Sequence, residues 1–276
     1  AASDVYKRQV VFGYVPASDG GPRWKEAARR ALEFDDSIGE AHVSLAMVHL
    51  EYDWKWSAAE REFVRGLELE PEYANGHRLY GLGLFVVGRF EEGLERIRRA
   101  LDLDPLNPSF PRTYAEMLFR AGRLDEVEAY LRNRLAFEPE PWARGWLSVV
   151  LRRVGRDDEA FSQRMLQWEE RGVSQDRVSE ARDRYQSSGF EGWDRMMLNS
   201  IYERQAAGEY VGNTYIARLH AHLGEVDEAI QVLEKALAER EPGLIWLRWD
   251  YPYDPIRTDP RFQSIVDRVG LPDFSQ

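Results

Sequence analysis

Three prolines place the strongest constraint on what this chain can fold into. Pro71, Pro105 and Pro139 stand 34 residues apart, and each lies in a similar stretch of sequence: GLELEPEYA, ALDLDPLNP and RLAFEPEPW. A degenerate fourth copy, ALEFDDSIG, begins at Ala31. Because chance rarely repeats a marker at a fixed spacing, the chain is predicted to consist of one structural repeat used several times, each packing on its neighbours.

Each repeat is predicted to contain two amphipathic helices, A and B, joined by a short turn. Between residues 74 and 105, Gly81 is the small residue at which the two helices meet. A glycine forms the turn because it accepts left-handed backbone dihedrals without steric cost. This turn glycine recurs in phase along the chain: Gly88, Gly122 and Gly155. Helix B then carries apolar and small residues at i, i+4 and i+7 on one face: Gly93, Ile97 and Ala100.

The period and these motif positions resemble tetratricopeptide repeats (TPR) over roughly residues 22–242. The resemblance implies an all-α fold, a right-handed TPR superhelical solenoid with a C-terminal capping helix. We expect a partial first repeat plus about four further repeats, then a diverged helix pair, a last repeat and a cap. The expected bounds of these four segments are residues 10–172, 173–208, 209–242 and 243–276.

The C-terminal segment carries helix signals of its own. In Thr258-Asp259-Pro260 a capping side chain precedes a proline at the first helical position, which predicts a helix start. Gly270 and Pro272 are expected to end this helix. Its apolar face consists of Phe262, Ile265, Val266 and Val269. Four aromatic residues are expected to seal the cap: Trp246, Trp249, Tyr251 and Tyr253.

Residues 1–9, AASDVYKRQ, resemble a translated sequencing-adaptor scar, and the chain has no initiator Met. We therefore exclude these residues from the fold argument. The natural protein is expected to continue upstream, and this chain is expected to be its C-terminal piece.

Composition limits the classes of partner. The formal net charge of −11 repels nucleic-acid phosphates and anionic lipid, so neither is expected to bind this segment. The chain has no cysteine, which excludes disulfides and thiolate metal sites. No stretch approaches the roughly 18 apolar residues of a membrane span. A cytoplasmic location is expected, and a periplasmic one stays open if a membrane span lies upstream.

Two further segments, Gly13-Tyr-Val-Pro16 and the stretch Tyr52–Phe63 (YDWKWSAAEREF), resemble one bacterial group together with the C-terminal ending. In that group a TPR half follows a winged-helix DNA-binding domain, a serine/threonine kinase domain or an adenylate-cyclase domain. The resemblance implies a regulatory or sensory role that binds a partner protein or the protein's own output domain. A stand-alone TPR scaffold is the alternative.

In TPR arrays the helix A side chains line the concave face, where peptides dock. The family's groove positions, carried over here, place arginines beside aromatic residues. Arginine offers a planar bidentate donor for carboxylates, and aromatic side chains give contact area at low entropy cost. The sequence therefore predicts a groove for an acidic, partly apolar peptide; the alternative is that these arginines are solvated or paired with Glu116 and neighbouring acids. Its members are Asn75, Arg78, Leu82, Phe85, Arg112, Glu116, Phe119, Arg120, Trp142, Val149, Arg152 and Arg153.

No enzymatic motif is evident, and we expect neither catalytic residues nor a cofactor. The five histidines do not form HExxH or a comparable metal motif, so no metal site is expected. His220 and His222, two residues apart on a helix, point to different faces. One enzymatic alternative is a hydrolase in the aromatic C-terminal region, which would need buried, perturbed acids among Asp250, Asp254 and Asp259.

Overall fold

The computed structural model describes residues 15–271 together with Val5 and Val10. Residues 1–4 and 6–9 of the suspected scar, residues 13–14 of the Gly13–Pro16 motif and the last five residues of the cap lie outside this part. Within it, thirteen α-helices and two short 3-10 helices follow one another along the chain. The α-helices are α1 (Ala17–Phe34), α2 (Gly39–Glu51), α3 (Trp56–Leu69), α4 (Ala74–Val86), α5 (Phe90–Leu103), α6 (Ser109–Arg120), α7 (Leu124–Phe137), α8 (Pro141–Arg153), α9 (Asp157–Glu170), α10 (Gln175–Ala206), α11 (Asn213–His222), α12 (Val226–Glu239) and α13 (Pro260–Val269). The 3-10 helices are Pro242–Trp246 and Tyr251–Ile256.

Neighbouring helices pack as hairpins, as the repeat predicted. Helix α2 packs on α3, α4 on α5, α8 on α9, and α11 on α12. The connecting turns have three or four residues, which is the length typical of antiparallel helix pairs. In each pair the first helix corresponds to helix A of the repeat and the second to helix B. The all-α prediction is therefore confirmed for the described part of the chain.

The turn glycines adopt the backbone that the sequence required. Gly88, Gly122 and Gly155 have φ values of +75°, +73° and +76°. A residue with a Cβ atom is strained in this left-handed region, so glycine ends helix A at no steric cost. The turn after α4 closes with a hydrogen bond from the Arg89 amide to the Leu84 carbonyl at 2.9 Å.

Helices α4 and α5 approach each other closely at two glycines. A Cβ atom on Gly81 would lie 2.7 Å from Cγ1 of Ile97 and 2.9 Å from the Gly93 carbonyl oxygen. A Cβ on Gly93 would in turn lie 2.9 Å from the carbonyl oxygen of Gly81. All three distances are too short for a Cβ contact, so the two backbones can meet only because neither glycine has a side chain. The predicted meeting point of helices A and B is confirmed.

Helix α10 is interrupted where the repeat loses its register. Ser188 and Gly189 leave helical geometry, with Gly189 at a φ of +59°. Two helical stretches therefore run through residues 175–206 on either side of this break. This break lies within residues 173–208, the segment in which the sequence analysis expects a diverged helix pair.

The contacts divide the chain into two compact units. Compact unit 1 comprises residues 1–110 and 201–276, and compact unit 2 comprises residues 111–200. Compact unit 1 thus joins the first repeats to the last one, and compact unit 2 has its own helices α7, α8 and α9. Within the described residues, none of the helices is both long and apolar enough to cross a bilayer.

The capping helix forms as predicted in compact unit 1. The Asp259 carboxylate accepts a hydrogen bond from the Arg261 amide at 2.8 Å, which caps the start of α13. Gly270 ends the helix with a φ of +71°. The apolar face of α13 is buried, and the helix packs on α12 of the last repeat.

The segment around this cap also reaches the first repeats, which the sequence did not predict. Trp249 donates its indole N–H to the Val86 carbonyl at the end of α4, at 3.3 Å, and its ring lies edge-on to Phe90 at 4.8 Å. Trp56, at the start of α3, donates its indole N–H to the Gly270 carbonyl at 2.6 Å. Trp249 and Trp56 therefore connect the C-terminal segment to the first repeats inside compact unit 1.

Candidate protein-binding surface

Four of the predicted groove residues belong to compact unit 1, and all four lie on α4. Asn75, Arg78 and Leu82 are half-buried. The Arg78 guanidinium donates two hydrogen bonds to the Asn75 side-chain oxygen, at 3.0 and 2.9 Å. Phe85 is completely buried, with its ring 5.2 Å from that of Phe90. Phe85 thus belongs to the packing between α4 and α5 and offers no surface for a peptide.

Helix α6 carries the groove residues of the next repeat. Arg112 is exposed, Glu116 is half-buried, and Phe119 is buried with its ring 5.7 Å from that of Trp146. Arg120 pairs with Glu116 at 3.0 Å, and its side chain is only 7% exposed. This ion pair compensates the charge of Arg120 internally, so Arg112 is the accessible cation among these four residues.

Helix α8 presents a mixed apolar and basic face in compact unit 2. Trp142 and Val149 are half-buried and Arg153 is exposed. Residues at i, i+7 and i+11 lie on one side of a helix, so these three share a face. The guanidinium of Arg134, on α7, lies 5.5 Å from the centre of the Trp142 ring. That contact fixes one side of the indole.

Arg152, also predicted for the groove, is held inside compact unit 2. Its guanidinium donates to both carboxylate oxygens of Asp194, at 3.0 and 2.5 Å, and lies 4.3 Å from the centre of the Phe190 ring. The Asp194 side chain is 3% exposed. Burial raises the pKa of this carboxyl above its ordinary value, and the hydrogen bonds from Arg152 offset only part of the shift. Arg152 is therefore a structural counter-ion in this arrangement.

Sequence analysis did not single out Asp194. It follows Trp193 and precedes two methionines beyond Arg195, in a stretch where an acid would ordinarily be expected on the solvent side of the helix. The signal that could have found it is this single acid between large apolar residues, since a buried charge needs a partner. Nothing in the sequence indicates which arginine provides that partner.

The acids proposed for a hydrolase serve local contacts instead. Asp254 pairs with Arg257 at 2.7 Å, and buried Asp250 lies 3.7 Å from Arg218. Hydrogen bonds from the Arg261 side chain and amide lower the pKa of Asp259 to about 2. A general base works best with a pKa near the working pH, so this shift has the wrong direction. These contacts do not support the hydrolase alternative.

A second polar cluster lies around His220 in compact unit 1. The Tyr202 hydroxyl lies 2.8 Å from Nε2 of this histidine, and a carboxylate oxygen of Glu225 lies 2.6 Å from its Nδ1. This arrangement of hydroxyl, imidazole and carboxylate resembles the nucleophile, the base and the orienting acid of a catalytic triad. Burial and then the nearby charges of Glu225 and Glu228 raise the pKa of Tyr202, which makes its phenolate harder to form. The cluster is therefore suited to holding α10 against α11 rather than to nucleophilic attack.

No group of three or more histidine and carboxylate side chains is placed to hold a metal ion within the part of the chain that the structure describes.

Comparisons with known proteins support the fold class. No protein-family model matches the sequence, and no curated protein matches it either.

Among solved structures, a thermophilic TPR protein from Thermus thermophilus is similar at a TM-score of 0.50 and 22% identity, over 65% of this chain and 98% of that one. A chain of the APC/C hetero-tetramer Cut9–Hcn1 is similar at a TM-score of 0.52 and 11% identity. That match covers 97% of this chain but only 48% of the other, so this chain spans about half its length. PilF of Pseudomonas aeruginosa matches at 0.48 and 20% identity, over 95% of this chain and 96% of PilF. The fold is that of a TPR solenoid.

Proposed function

We propose that this chain is a protein-interaction module that binds an acidic, partly apolar peptide segment through its helix A faces. The observation that carries the proposal is the face of α8, along which Trp142, Val149 and Arg153 are aligned and remain at least partly accessible. Tryptophan and arginine are two of the residue types enriched at the energetic hot spots of protein interfaces.

The arginines differ in solvent exposure. The side chains of Arg120 and Arg152 are 7% and 20% exposed, whereas Arg112 and Arg153 are exposed residues. We therefore assign carboxylate recognition to Arg112 and Arg153. An acidic peptide is also compatible with the net charge of −11, because attraction from local arginines is strongest within about a Debye length, roughly 8 Å at physiological salt.

Selection from a random peptide display library tests this proposal with no partner specified in advance. Selected peptides are expected to combine Asp or Glu with an apolar side chain. Their Kd, measured by fluorescence anisotropy, should rise about 5- to 30-fold for Arg153→Ala and again for Arg112→Ala, since truncating an interface arginine costs roughly 1–2 kcal/mol. Affinity should also weaken as salt increases.

The matched control is Arg65→Ala on α3, where the side chain is 53% exposed on a helix B. This variant should bind the selected peptides like the parent chain. Selection of peptides without acidic residues, or an unchanged Kd in both Arg112→Ala and Arg153→Ala, would refute the assignment of the peptide to these faces.

A regulatory role beside an output domain is the narrower form of this proposed function. The likeness of Tyr52–Phe63 and of the C-terminal ending to a bacterial group supports a regulatory role beside an output domain. Long-read sequencing of the source DNA upstream of residue 10 distinguishes the possibilities. An in-frame kinase, cyclase or winged-helix domain would make the chain a sensory arm, whereas a nearby start codon would make it a stand-alone adaptor.

A further inference from the structure

A cavity of about 310 Å³ opens between α3 and the C-terminal half of α4 in compact unit 1. Its walls and floor are mostly apolar, with Leu50, Phe63 and Tyr80 among them. The rings of Phe63 and Tyr80 are stacked, with centroids 5.3 Å apart and planes 21° from parallel. This volume is at the lower end of the range of small-molecule sites in proteins. The cavity is distinct from the faces assigned to peptide binding above.

Helix α4 has a glycine, Gly83, in the lining of the cavity, at a position where three other repeats have a larger side chain. Gly83 lies five residues before the turn glycine Gly88. The residues five before the other turn glycines are Met117, Val150 and Leu219, all buried. A Cβ atom on Gly83 would lie 3.0 Å from Cε2 of Phe63, so a side chain here would press on the ring that forms the cavity wall. TPR packing does not require glycine here, since the other repeats do without it.

The rim of the cavity carries one carboxylate with hydrogen-bonding capacity to spare. One oxygen of Glu60 accepts from the Tyr80 hydroxyl at 3.1 Å and from the Arg89 guanidinium. The Glu60 side chain remains 45% exposed. Because a carboxylate can accept about four hydrogen bonds, its second oxygen can receive an N–H from a ligand.

The charges around this rim balance. Glu60 and Arg89 are the charged residues that line the cavity, and they form an ion pair with each other. With no excess of either sign, a charged ligand would lose hydration without gaining a counter-ion, so a neutral ligand is favoured.

Trp56 completes the wall and its polar atom is already used. Its indole N–H donates to the Gly270 carbonyl at 2.6 Å, which holds the ring in place. The cavity therefore combines aromatic walls, one carboxylate that can accept a further hydrogen bond, and no net charge. We propose that it binds a small, neutral aromatic molecule with one N–H donor, of which indole is the simplest example.

The test is a titration of the full chain with indole, followed in ¹H–¹⁵N spectra through the indole N–H signal of Trp56. A saturable shift with a Kd below about 1 mM is expected, because a ligand of this size can gain several kcal/mol in a preformed apolar site. The matched ligand 1-methylindole lacks the donor. It should bind at least about tenfold more weakly, since a hydrogen bond to a charged acceptor contributes about 1.5 kcal/mol or more. Tryptamine and indole-3-acetate, which carry opposite charges, should both bind more weakly than indole.

Two variants locate the binding. Gly83→Met should fill the cavity and abolish the shift, and the milder Gly83→Ala should weaken it if the larger change impairs folding. Val64→Met is the control, since Val64 is a 41% exposed residue of α3 that does not line the cavity. Unchanged indole binding in a folded Gly83→Met chain, or no shift in the parent chain up to the solubility limit, would overturn the proposal. Tighter binding of N-acetyltryptophanamide than of indole would point to a partner's tryptophan side chain and overturn the small-molecule assignment.

Discussion

Arg152→Ala removes the guanidinium that donates two hydrogen bonds to the buried carboxylate of Asp194. At 3% exposure this carboxylate has little access to water, so the variant must accommodate a charge that is poorly compensated. Breaking a buried ion pair by removing one partner typically costs about 3–5 kcal/mol. The contact of Arg152 with the Phe190 ring adds roughly 0.5–2 kcal/mol. Arg164 also attracts the Asp194 carboxylate, so the lower part of the range, about 3 kcal/mol, is the expected loss.

The same change should become less harmful as the pH falls. Burial raises the pKa of Asp194 even with Arg152 present, and removal of the arginine raises it further. A carboxyl whose pKa is higher in the folded state than in the unfolded state takes up a proton on folding. Its stabilising contribution is then complete below the unfolded pKa and is lost as the pH rises through the folded pKa. The difference in stability between Arg152→Ala and the parent chain should therefore shrink on acidification from about pH 8 to about pH 5.

Hydrogen exchange measured by mass spectrometry suits this prediction, because it follows compact unit 2 separately. Protection of peptides from α8 and the second stretch of α10 should fall about 100-fold near neutral pH, the equivalent of about 3 kcal/mol. Arg153→Ala is the matched control on the same helix and should change stability by no more than about 0.5 kcal/mol, since Arg153 is exposed. A loss below about 1 kcal/mol for Arg152→Ala, or an equal loss for Arg153→Ala, would refute the argument that Arg152 is a structural counter-ion.

Three further predictions concern compact unit 1. Gly81→Ala should lower the free energy of unfolding in urea by about 1–3 kcal/mol, because the new Cβ would lie 2.9 Å from the Gly93 carbonyl oxygen. An unchanged free energy of unfolding would mean that α4 and α5 can separate freely. Trp249→Phe removes the hydrogen bond to Val86 and should lower the free energy of unfolding by about 1 kcal/mol. Trp249→Ala should lower it by about 3–5 kcal/mol. Faster hydrogen exchange of the amides in α13 is the local measurement for both variants. Asp259 has a pKa lowered to about 2, against an ordinary value of 3.8, so its stabilising contribution is present above pH 3.8 and is lost as the pH falls through about 2. Asp259→Asn should remove this part of the acid sensitivity of the cap, and an identical acid transition in the variant would show that Asp259 does not contribute.

The features that depend on neighbours in the sequence could be predicted from it. The turn glycines follow from the recurrence of Gly88 at Gly122 and Gly155, 34 and then 33 residues on, and the start of α13 follows from Thr258-Asp259-Pro260. The approach of Gly81 to Gly93 follows as well, because the two positions recur together in a TPR motif. In each case the deciding interaction lies within one repeat, so the sequence pattern contains both partners.

The candidate site was predicted less completely, because its accessibility depends on contacts outside the motif. Family positions correctly place Arg152 on helix A, but they do not indicate that Asp194, 42 residues later, takes up its guanidinium. Phe85 likewise occupies a groove position, yet the small residue Gly93 opens a space on α5 into which its ring packs. A motif position states which helix face a residue begins on, and the local packing decides whether that residue remains available to a partner.

The contacts between the ends of the repeat are the part that local patterns could not contain. Trp249 and Val86 are 163 residues apart, and Trp56 and Gly270 are 214 residues apart. An aromatic residue near a terminus indicates that apolar surface needs covering, but it does not indicate which surface is covered. These contacts also give the indole N–H of Trp56 a partner from the cap. A ligand that displaces Trp56 in the cavity beside Gly83 would break or strain this hydrogen bond to Gly270. We therefore expect occupancy of the cavity to change the stability of the segment that ends α13, because that segment loses a partner when Trp56 moves.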